Sequence, residues 1–184
     1  MSASVTTAFP DHTIETAPAA ARRTMTAIQS EWGYIPSGVA KLVTSPHALD
    51  GFLKLNAIFE NTTLDPLVRE AVVMTMATRN GCHLCIAIHT QRLQKLDADP
   101  AVIAALRTAA PLSDPRLDAV RRFTLRVLET TGDVGDAALD DFLAHDFTAQ
   151  NALEVVLGIA TYTLSTFANR LTAATIDPPL AQYA

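Results

Sequence analysis

Four dipeptides in which serine or aspartate precedes proline divide this chain into helical segments: Ser45-Pro46, Asp65-Pro66, Asp99-Pro100 and Asp114-Pro115. Such a pair is typical of a helix N-terminus, because the first residue caps free backbone N–H groups and proline fits the first helical position. Glycine closes several of these segments, as at Gly81 and Gly132. Proline at helix starts and glycine at helix ends is the order expected of a helical chain.

The pattern predicts an all-α fold, a single domain of about seven to eight helices. No segment shows the sustained alternation of apolar and polar residues that predicts a strand. We expect the domain to span 17–184 and to follow a flexible N-terminal tail, 1–16. The predicted helices lie near 17–31, 46–61, 66–80, 82–96, 100–108, 115–131, 136–145 and 148–173.

Charge and composition limit the classes of partner. The chain has 14 basic and 19 acidic residues, a net charge of −5, and no basic cluster, which argues against nucleic acid or an anionic membrane. The first residues lack the regions of a secretory signal, and no apolar run is long enough to span a bilayer. We expect a cytoplasmic protein without a cofactor. In that compartment a CxxC pair is more often catalytic or metal-binding than a structural bridge.

The chain has only two cysteines, and they lie three residues apart in the segment 80-NGCHLCIAIHTQ-91. At this spacing Cys82 and Cys85 share one helix face, with Cβ atoms roughly 5–6 Å apart. A disulfide needs about 3.5–4.5 Å, so a small adjustment of the first turn suffices. The free N–H groups at a helix start also favour thiolate over thiol. The spacing predicts a dithiol that closes and reopens without refolding.

His89 lies on the same helix face as the two cysteines. Helical side chains lean toward the N-terminus, which sends the imidazole toward Cys85, where a neutral ring can accept the thiol proton. Glu70 is the candidate to orient this ring, because a tight turn at Gly81 predicts an antiparallel helical hairpin. At about 1.5 Å rise per residue, the two side chains differ in height by only about 4–5 Å.

Glu70, eleven further residues and then Cys82-x-x-Cys85-x-x-x-His89 resemble the motif of the alkylhydroperoxidase D and carboxymuconolactone decarboxylase superfamily. The flanking segments 33-GYIP-36 and 168-ANRLTAATID-177 are similar to its thiol-bearing, peroxidase-related branch. The resemblance covers roughly 30–178. It implies an all-helical fold and a homo-oligomer, a trimer or a hexamer.

The resemblance also implies an activity, the reduction of a small organic hydroperoxide. Cys85, activated by His89 and Glu70, would attack the peroxide, and Cys82 would resolve the sulfenic acid as a disulfide. A small dithiol or a lipoyl group on a partner protein would reduce that disulfide. The decarboxylase branch lacks the cysteine pair, so lactone decarboxylation is not expected.

The chain departs from the enzyme alkylhydroperoxidase D at one position of the motif. There a second histidine directly precedes the second cysteine, whereas here Leu84 occupies that place. His83 lies one residue earlier, about 100° around the helix. We expect His83 to face solvent rather than to replace the family histidine.

Other functions use the same residues: a disulfide reductase, a redox-sensing module without turnover, or a metal-binding module. Zinc normally takes four ligands, and His12, His47 and His145 show no partnering motif. Asn169 and Arg170 interrupt an apolar helix and are assigned to capping or a subunit interface, not to the site. The apolar character of the segment 148–173 predicts that it is buried in an oligomer.

Overall fold

The computed structural model describes residues 8–184, in which there are helices and no strands. The all-α fold class is confirmed. Nine α-helices lie between Ala19 and Leu171, and a 3-10 helix follows at Pro178–Tyr183. The α-helices are α1 (Ala19–Trp32), α2 (Ser37–Leu42), α3 (Pro46–Glu60), α4 (Pro66–Arg79), α5 (His83–Lys95), α6 (Pro100–Arg107), α7 (Pro115–Thr130), α8 (Asp136–Leu143) and α9 (Ala149–Leu171).

Two short helices exceed the predicted set, α2 and the 3-10 helix. Neither is long enough to show a helical period in its sequence. A tertiary contact joins them instead: the backbone N–H of Ser37 at the start of α2 donates to Asp177 Oδ1, just before the 3-10 helix, at 2.9 Å.

The four predicted N-caps are confirmed. Asp65 Oδ1 accepts the N–H of Val68 at 3.0 Å, and the side chains of Ser45, Asp99 and Asp114 accept backbone N–H groups in the same way. Each of these helices has proline at its first position. The sequence therefore sets these helix starts locally, before any tertiary packing.

Helix α4 is the centre of the fold. It packs against α5, α6, α7 and α9, and its residues from Glu70 to Ala77 are all buried. Glu70 is the only charged residue of that run. A buried carboxylate needs a partner, and the neighbouring helix α5 provides it.

The turn between α4 and α5 fixes the position of the cysteines. Gly81 has a φ of +62°, and its N–H donates to Thr78 O at 3.0 Å, while Cys82 N–H donates to Ala77 O at 2.9 Å. This pair of bonds is a Schellman motif, which favours glycine at the left-handed position. Cys82 is therefore the N-cap of α5 rather than a residue of its first turn.

Residues 1–7 of the predicted tail, 1–16, lie outside the described residues. Further along it, Lys41 Nζ contacts Asp11 Oδ1 at 3.1 Å, and the N–H of His12 donates to Ala40 O at 3.1 Å. Both contacts join this segment to α2. None of the described helices combines the length and the apolar character that a membrane span requires.

Candidate active site

The two cysteines are free thiols whose sulfurs lie 2.9 Å apart at the start of α5. Each residue is only 2% exposed. A disulfide bond is about 2.03–2.05 Å long, so the sulfurs need to approach by only a small rotation of the side chains. The arrangement can therefore form an intramolecular disulfide within one helical turn.

The two thiols differ in acidity. The hydrogen bond between the two sulfurs lowers the pKa of Cys82 to about 7, and burial only partly opposes this effect. A backbone hydrogen bond, Asn169 and the charge of Arg170 favour the Cys82 thiolate as well. The same contact with Cys82, together with burial, raises the pKa of Cys85. Cys82 is thus the thiol that ionises first.

Glu70 and His89 face each other across the α4–α5 hairpin, where both side chains are buried. Glu70 Oε2 lies 2.7 Å from His89 Nδ1, and Glu70 Oε1 accepts from Arg92 Nη1 at 3.4 Å. Burial raises the pKa of Glu70, but its interactions with His89 and Arg92 outweigh burial and leave that pKa lowered. Because the ionised carboxylate only accepts, Nδ1 carries a proton and Nε2 is the nitrogen left for proton exchange.

The ring of His89 is held by a second contact, an edge-to-face packing against Tyr162 with centroids 5.2 Å apart. Tyr162 in turn donates its hydroxyl to Asn56 Oδ1 at 3.0 Å. These contacts restrict the imidazole to one orientation. Among the described residues, however, His89 makes no hydrogen bond to either sulfur, whose partners are each other, Ser165 and Asn169. The structure therefore shows no contact through which Cys85 could pass its proton directly to His89. The role of His89 as a base stays a prediction.

Asn169 is a residue of the site that the sequence analysis assigned elsewhere. Its Nδ2 donates to Cys85 Sγ at 3.4 Å and lies 4.0 Å from Cys82 Sγ. Gly38 makes room for it, because a Cβ there would lie 2.8 Å from Asn169 Oδ1. Ser165, one turn earlier on α9, places its hydroxyl 3.8 Å from Cys85 Sγ. In the sequence, Asn169 was marked only by its place in a polar pair, Asn169 and Arg170, within an apolar helix. This signal does not indicate which distant residue Asn169 contacts.

Arg170 joins α9 to the turn before Cys82 by a hydrogen bond. Its Nη1 donates to the carbonyl oxygen of Asn80. The Asn80 side chain donates to Thr166 Oγ1 at 2.9 Å, so two contacts join this turn to α9. The guanidinium therefore holds a positive charge near the N-cap cysteine.

His83 and Leu84 occupy opposite environments. His83 is exposed, as predicted, and Leu84 is buried against the apolar cluster that surrounds the cysteines. The position that is histidine in alkylhydroperoxidase D is thus filled here by an apolar side chain.

Among residues 8–184, no three His, Cys, Asp or Glu side chains are placed to hold a metal ion.

The sequence profile of the carboxymuconolactone decarboxylase family matches residues 46–126, which include all four predicted site residues. The fold is similar to that of a peroxidase-related protein with an alkylhydroperoxidase AhpD core from Ralstonia eutropha JMP134 (TM-score 0.82, 20% identity, covering 94% of this chain and 93% of that one). Residues 46–126 thus match the carboxymuconolactone decarboxylase family, and the fold is similar to that of a protein with an alkylhydroperoxidase AhpD core. A second structure with a similar fold is a peroxidase-related protein from Silicibacter sp. TM1040 (TM-score 0.78, 17% identity, covering 96% of this chain and 94% of that one).

A similar fold also occurs in an enzyme with another activity. A cysteine-to-alanine variant of the debrominase Bmp8, solved in complex with 2,3,4-tribromopyrrole, has a TM-score of 0.71 at 12% identity, covering 90% of this chain and 89% of that one. At such identities these likenesses concern the fold alone. No curated protein matches the chain significantly by sequence.

Proposed function

We propose that this protein is a thiol-dependent peroxidase that reduces organic hydroperoxides through Cys82 and Cys85, assisted by His89 and Glu70. The observation that carries the proposal is the pair of free sulfurs 2.9 Å apart, of which one is favoured as a thiolate. A thiolate is the nucleophile of such a reaction, and a neighbouring thiol can trap the oxidised sulfur.

Cys82 makes the first attack in this proposal, which reverses the order that the family resemblance implies. Its thiolate attacks the outer oxygen of the hydroperoxide, the O–O bond breaks, and a proton converts the leaving alkoxide to an alcohol. Cys82 becomes a sulfenic acid. The N-cap position, the Asn169 amide and the Arg170 charge all favour an anionic sulfur at Cys82.

Cys85 then resolves the sulfenic acid. Its sulfur attacks that of Cys82, a disulfide forms, and the hydroxyl group and the thiol proton leave as water. Because the pKa of Cys85 is raised, this step needs a base. The Nε2 of His89 is that base, and the alcohol released in the first step bridges the gap between the ring and the sulfur.

Apolar surroundings favour an organic peroxide over hydrogen peroxide. Leu84 and Leu180 are buried in one cluster with both cysteines, and Ile86, Ile88, Ile176 and Tyr183 pack against it. Transfer of an alkyl or aryl group from water onto such a surface is favourable by about 25 cal/mol per Å² of apolar area removed from water.

A small dithiol or a lipoyl group then reduces the disulfide through a mixed disulfide with one of the cysteines.

A disulfide reductase is the second candidate, and the low pKa of Cys82 favours it. The N-terminal, more acidic thiol of a CxxC pair is also suited to attack a disulfide in a partner. This reaction needs no hydroperoxide, because the dithiol gives its two electrons to the disulfide of the partner, which is reduced to two thiols. It is distinguished from the first by the substrate that is turned over.

We propose in addition that the protein assembles as a homo-oligomer through α9. Leu153, Val156, Phe167 and Leu171 follow one another at helical spacing along α9, and all four are exposed, Leu153 by 72% and Leu171 by 65%. A row of large exposed apolar residues is unusual for a monomer and typical of an interface. A trimer or a hexamer remains the expected assembly.

Steady-state consumption of cumene hydroperoxide tests the proposed peroxidase, with dihydrolipoamide compared with thioredoxin as the electron donor. We expect turnover with dihydrolipoamide and its loss in Cys82→Ser and in Cys85→Ser. His83→Ala is the matched control, because this exposed histidine lies between the two cysteines and outside the site. Reduction of a disulfide substrate without hydroperoxide turnover would assign the second candidate instead.

A further inference from the structure

A polar cavity of about 630 Å³ lies apart from the dithiol, where the N-terminal segment meets α2 and the C-terminal segment. Its volume is in the range of small-molecule sites. It is lined by residues 11–15, Gln29, Gly33, Tyr34, Ile35, Ser37, Ala40, Thr175 and Asp177.

One carboxylate oxygen of this cavity has no hydrogen-bond partner in the part of the chain that the structure describes. Asp177 is 6% exposed, and its Oδ1 accepts the N–H of Ser37 at 2.9 Å. Its Oδ2 is buried and makes no hydrogen bond to the described residues. An unsatisfied buried polar atom is rare in proteins and costs free energy, so its persistence calls for an explanation. A ligand in the cavity that donates a hydrogen bond to this oxygen is one explanation.

The carboxylates that line the cavity are only partly balanced by cations, since Lys41 pairs with Asp11 and the charge of Arg22 acts on Glu15. Asp11, Glu15 and Asp177 line it, whereas no lysine or arginine does so among the described residues. Asp11 is paired with Lys41 behind the wall, and Glu15 Oε2 accepts from Thr13 Oγ1 at 2.7 Å. Within residues 8–184, Asp177 has no such cation. Burial raises the pKa of Asp177. Burial also raises the pKa of Tyr34, and the negative charge of Asp177 raises it further.

These features select the kind of ligand. An anion would meet three carboxylates, and a metal ion would find no group of three ligands among the described residues. Ile14, Ile35 and Ala40 provide an apolar wall beside the carboxylates. An organic cation with N–H donors and a short apolar stem fits both parts of the surface.

We propose that this cavity binds a small organic ammonium or guanidinium ion, whose N–H groups donate to Asp177 Oδ2. The ion would bridge the C-terminal segment to the N-terminal segment. This site is independent of the proposed peroxidase, because none of its lining residues contacts a cysteine sulfur.

Calorimetric titration of the reduced full chain with n-butylammonium and n-butylguanidinium tests the proposal, with n-butanol and butyrate as comparators. We expect saturable binding of at least one cation, about tenfold or more tighter than n-butanol, and no binding of butyrate. Asp177→Asn keeps an oxygen for the N–H of Ser37 and should weaken cation binding by about tenfold or more. The matched control is Asp140→Asn, an exposed carboxylate on α8.

A second measurement does not depend on folding of the Asp177 variant. In wild-type protein, n-butylammonium should shift the amide resonances of Ser37 and Thr175 in a saturable way, and Glu15→Gln should weaken this binding. Failure of both cations to bind, equal binding to Asp177→Asn, or resonance shifts confined to other regions would overturn the proposal.

Discussion

Glu70 and His89, nineteen residues apart in the sequence, are joined by a 2.7 Å contact inside the α4–α5 hairpin. The contact is buried and is extended by Arg92, which also donates to Glu60 Oε1 at 2.6 Å. The series Glu60, Arg92, Glu70, His89 therefore runs from the protein surface to the imidazole.

Replacement of Glu70 by glutamine should change the acid stability of the protein. The folded-state pKa of Glu70 is lowered, so its contribution is present above the ordinary pKa of about 4.3 and is lost as pH falls through the folded value. Glu70→Gln should cost about 1–3 kcal/mol at neutral pH and weaken the fall in unfolding free energy below about pH 4. Denaturant unfolding at several pH values measures this, with the exposed Glu129→Gln as control. Parallel pH profiles for wild type and Glu70→Gln would contradict it.

The acidity of Cys82 should depend on Cys85. Alkylation by iodoacetamide should follow a midpoint near pH 7, because only the thiolate reacts and the pKa of Cys82 is lowered to about 7. In Cys85→Ala the donated hydrogen bond is lost, and the midpoint should rise toward the ordinary value of about 8.5. Cys85→Ser retains a hydroxyl donor and is the matched control, with a smaller rise. An unchanged midpoint in Cys85→Ala would remove this contact as the cause.

Asn169 should act on the sulfurs without taking part in the electron transfer. Asn169→Leu removes the amide donor at 3.4 Å from Cys85 Sγ, and we expect a raised pKa of Cys82 and about tenfold slower peroxide reduction. Asn169→Asp should be slower still, since a carboxylate repels the thiolate. Thr163→Val, on the same helix, is the control. Peroxide reduction and a Cys82 pKa that both match wild type in Asn169→Leu would assign Asn169 to packing alone.

The exposed apolar row on α9 should be covered in solution. Phe167 is 57% exposed in the single chain, and a glutamate at this position would place a charge in the middle of an interface. Light scattering after gel filtration should give an oligomer for wild type and a smaller species for Phe167→Glu. Leu96→Glu, at the exposed apolar residue that caps the C-terminus of α5, should leave the mass unchanged. A monomeric wild-type protein would refute the proposed assembly.

Local signals in the sequence account for much of the fold. The capping residues at Asp65 and Asp114 act within one helical turn, so their role can be read without tertiary information. The turn at Gly81 joins two helices of known rise, and this arithmetic places Glu70 beside His89 before the structure is known. In both cases the interacting residues belong to one helix or to one hairpin.

The remaining features depend on contacts between distant parts of the chain. Asn169 lies 84 residues from Cys85, and no periodicity connects the two positions. The short helix α2 is likewise joined to Asp177, 140 residues away. The order of the two thiol pKa values follows mainly from the contact between the two sulfurs and from burial, neither of which the motif shows, so the family resemblance assigned the first attack to the other cysteine. The catalytic roles of Glu70, Cys82, Cys85 and His89 stay predictions.

The most direct test of the redox pair is mass spectrometry of the reduced protein after one equivalent of cumene hydroperoxide and an alkylating quench. Cys82 and Cys85 should be converted together to one intramolecular disulfide, with the loss of two hydrogen atoms and no alkylation of either sulfur. In Cys85→Ser the oxidised species should be a sulfenic acid at Cys82. Full alkylation of both cysteines after peroxide treatment would contradict the account.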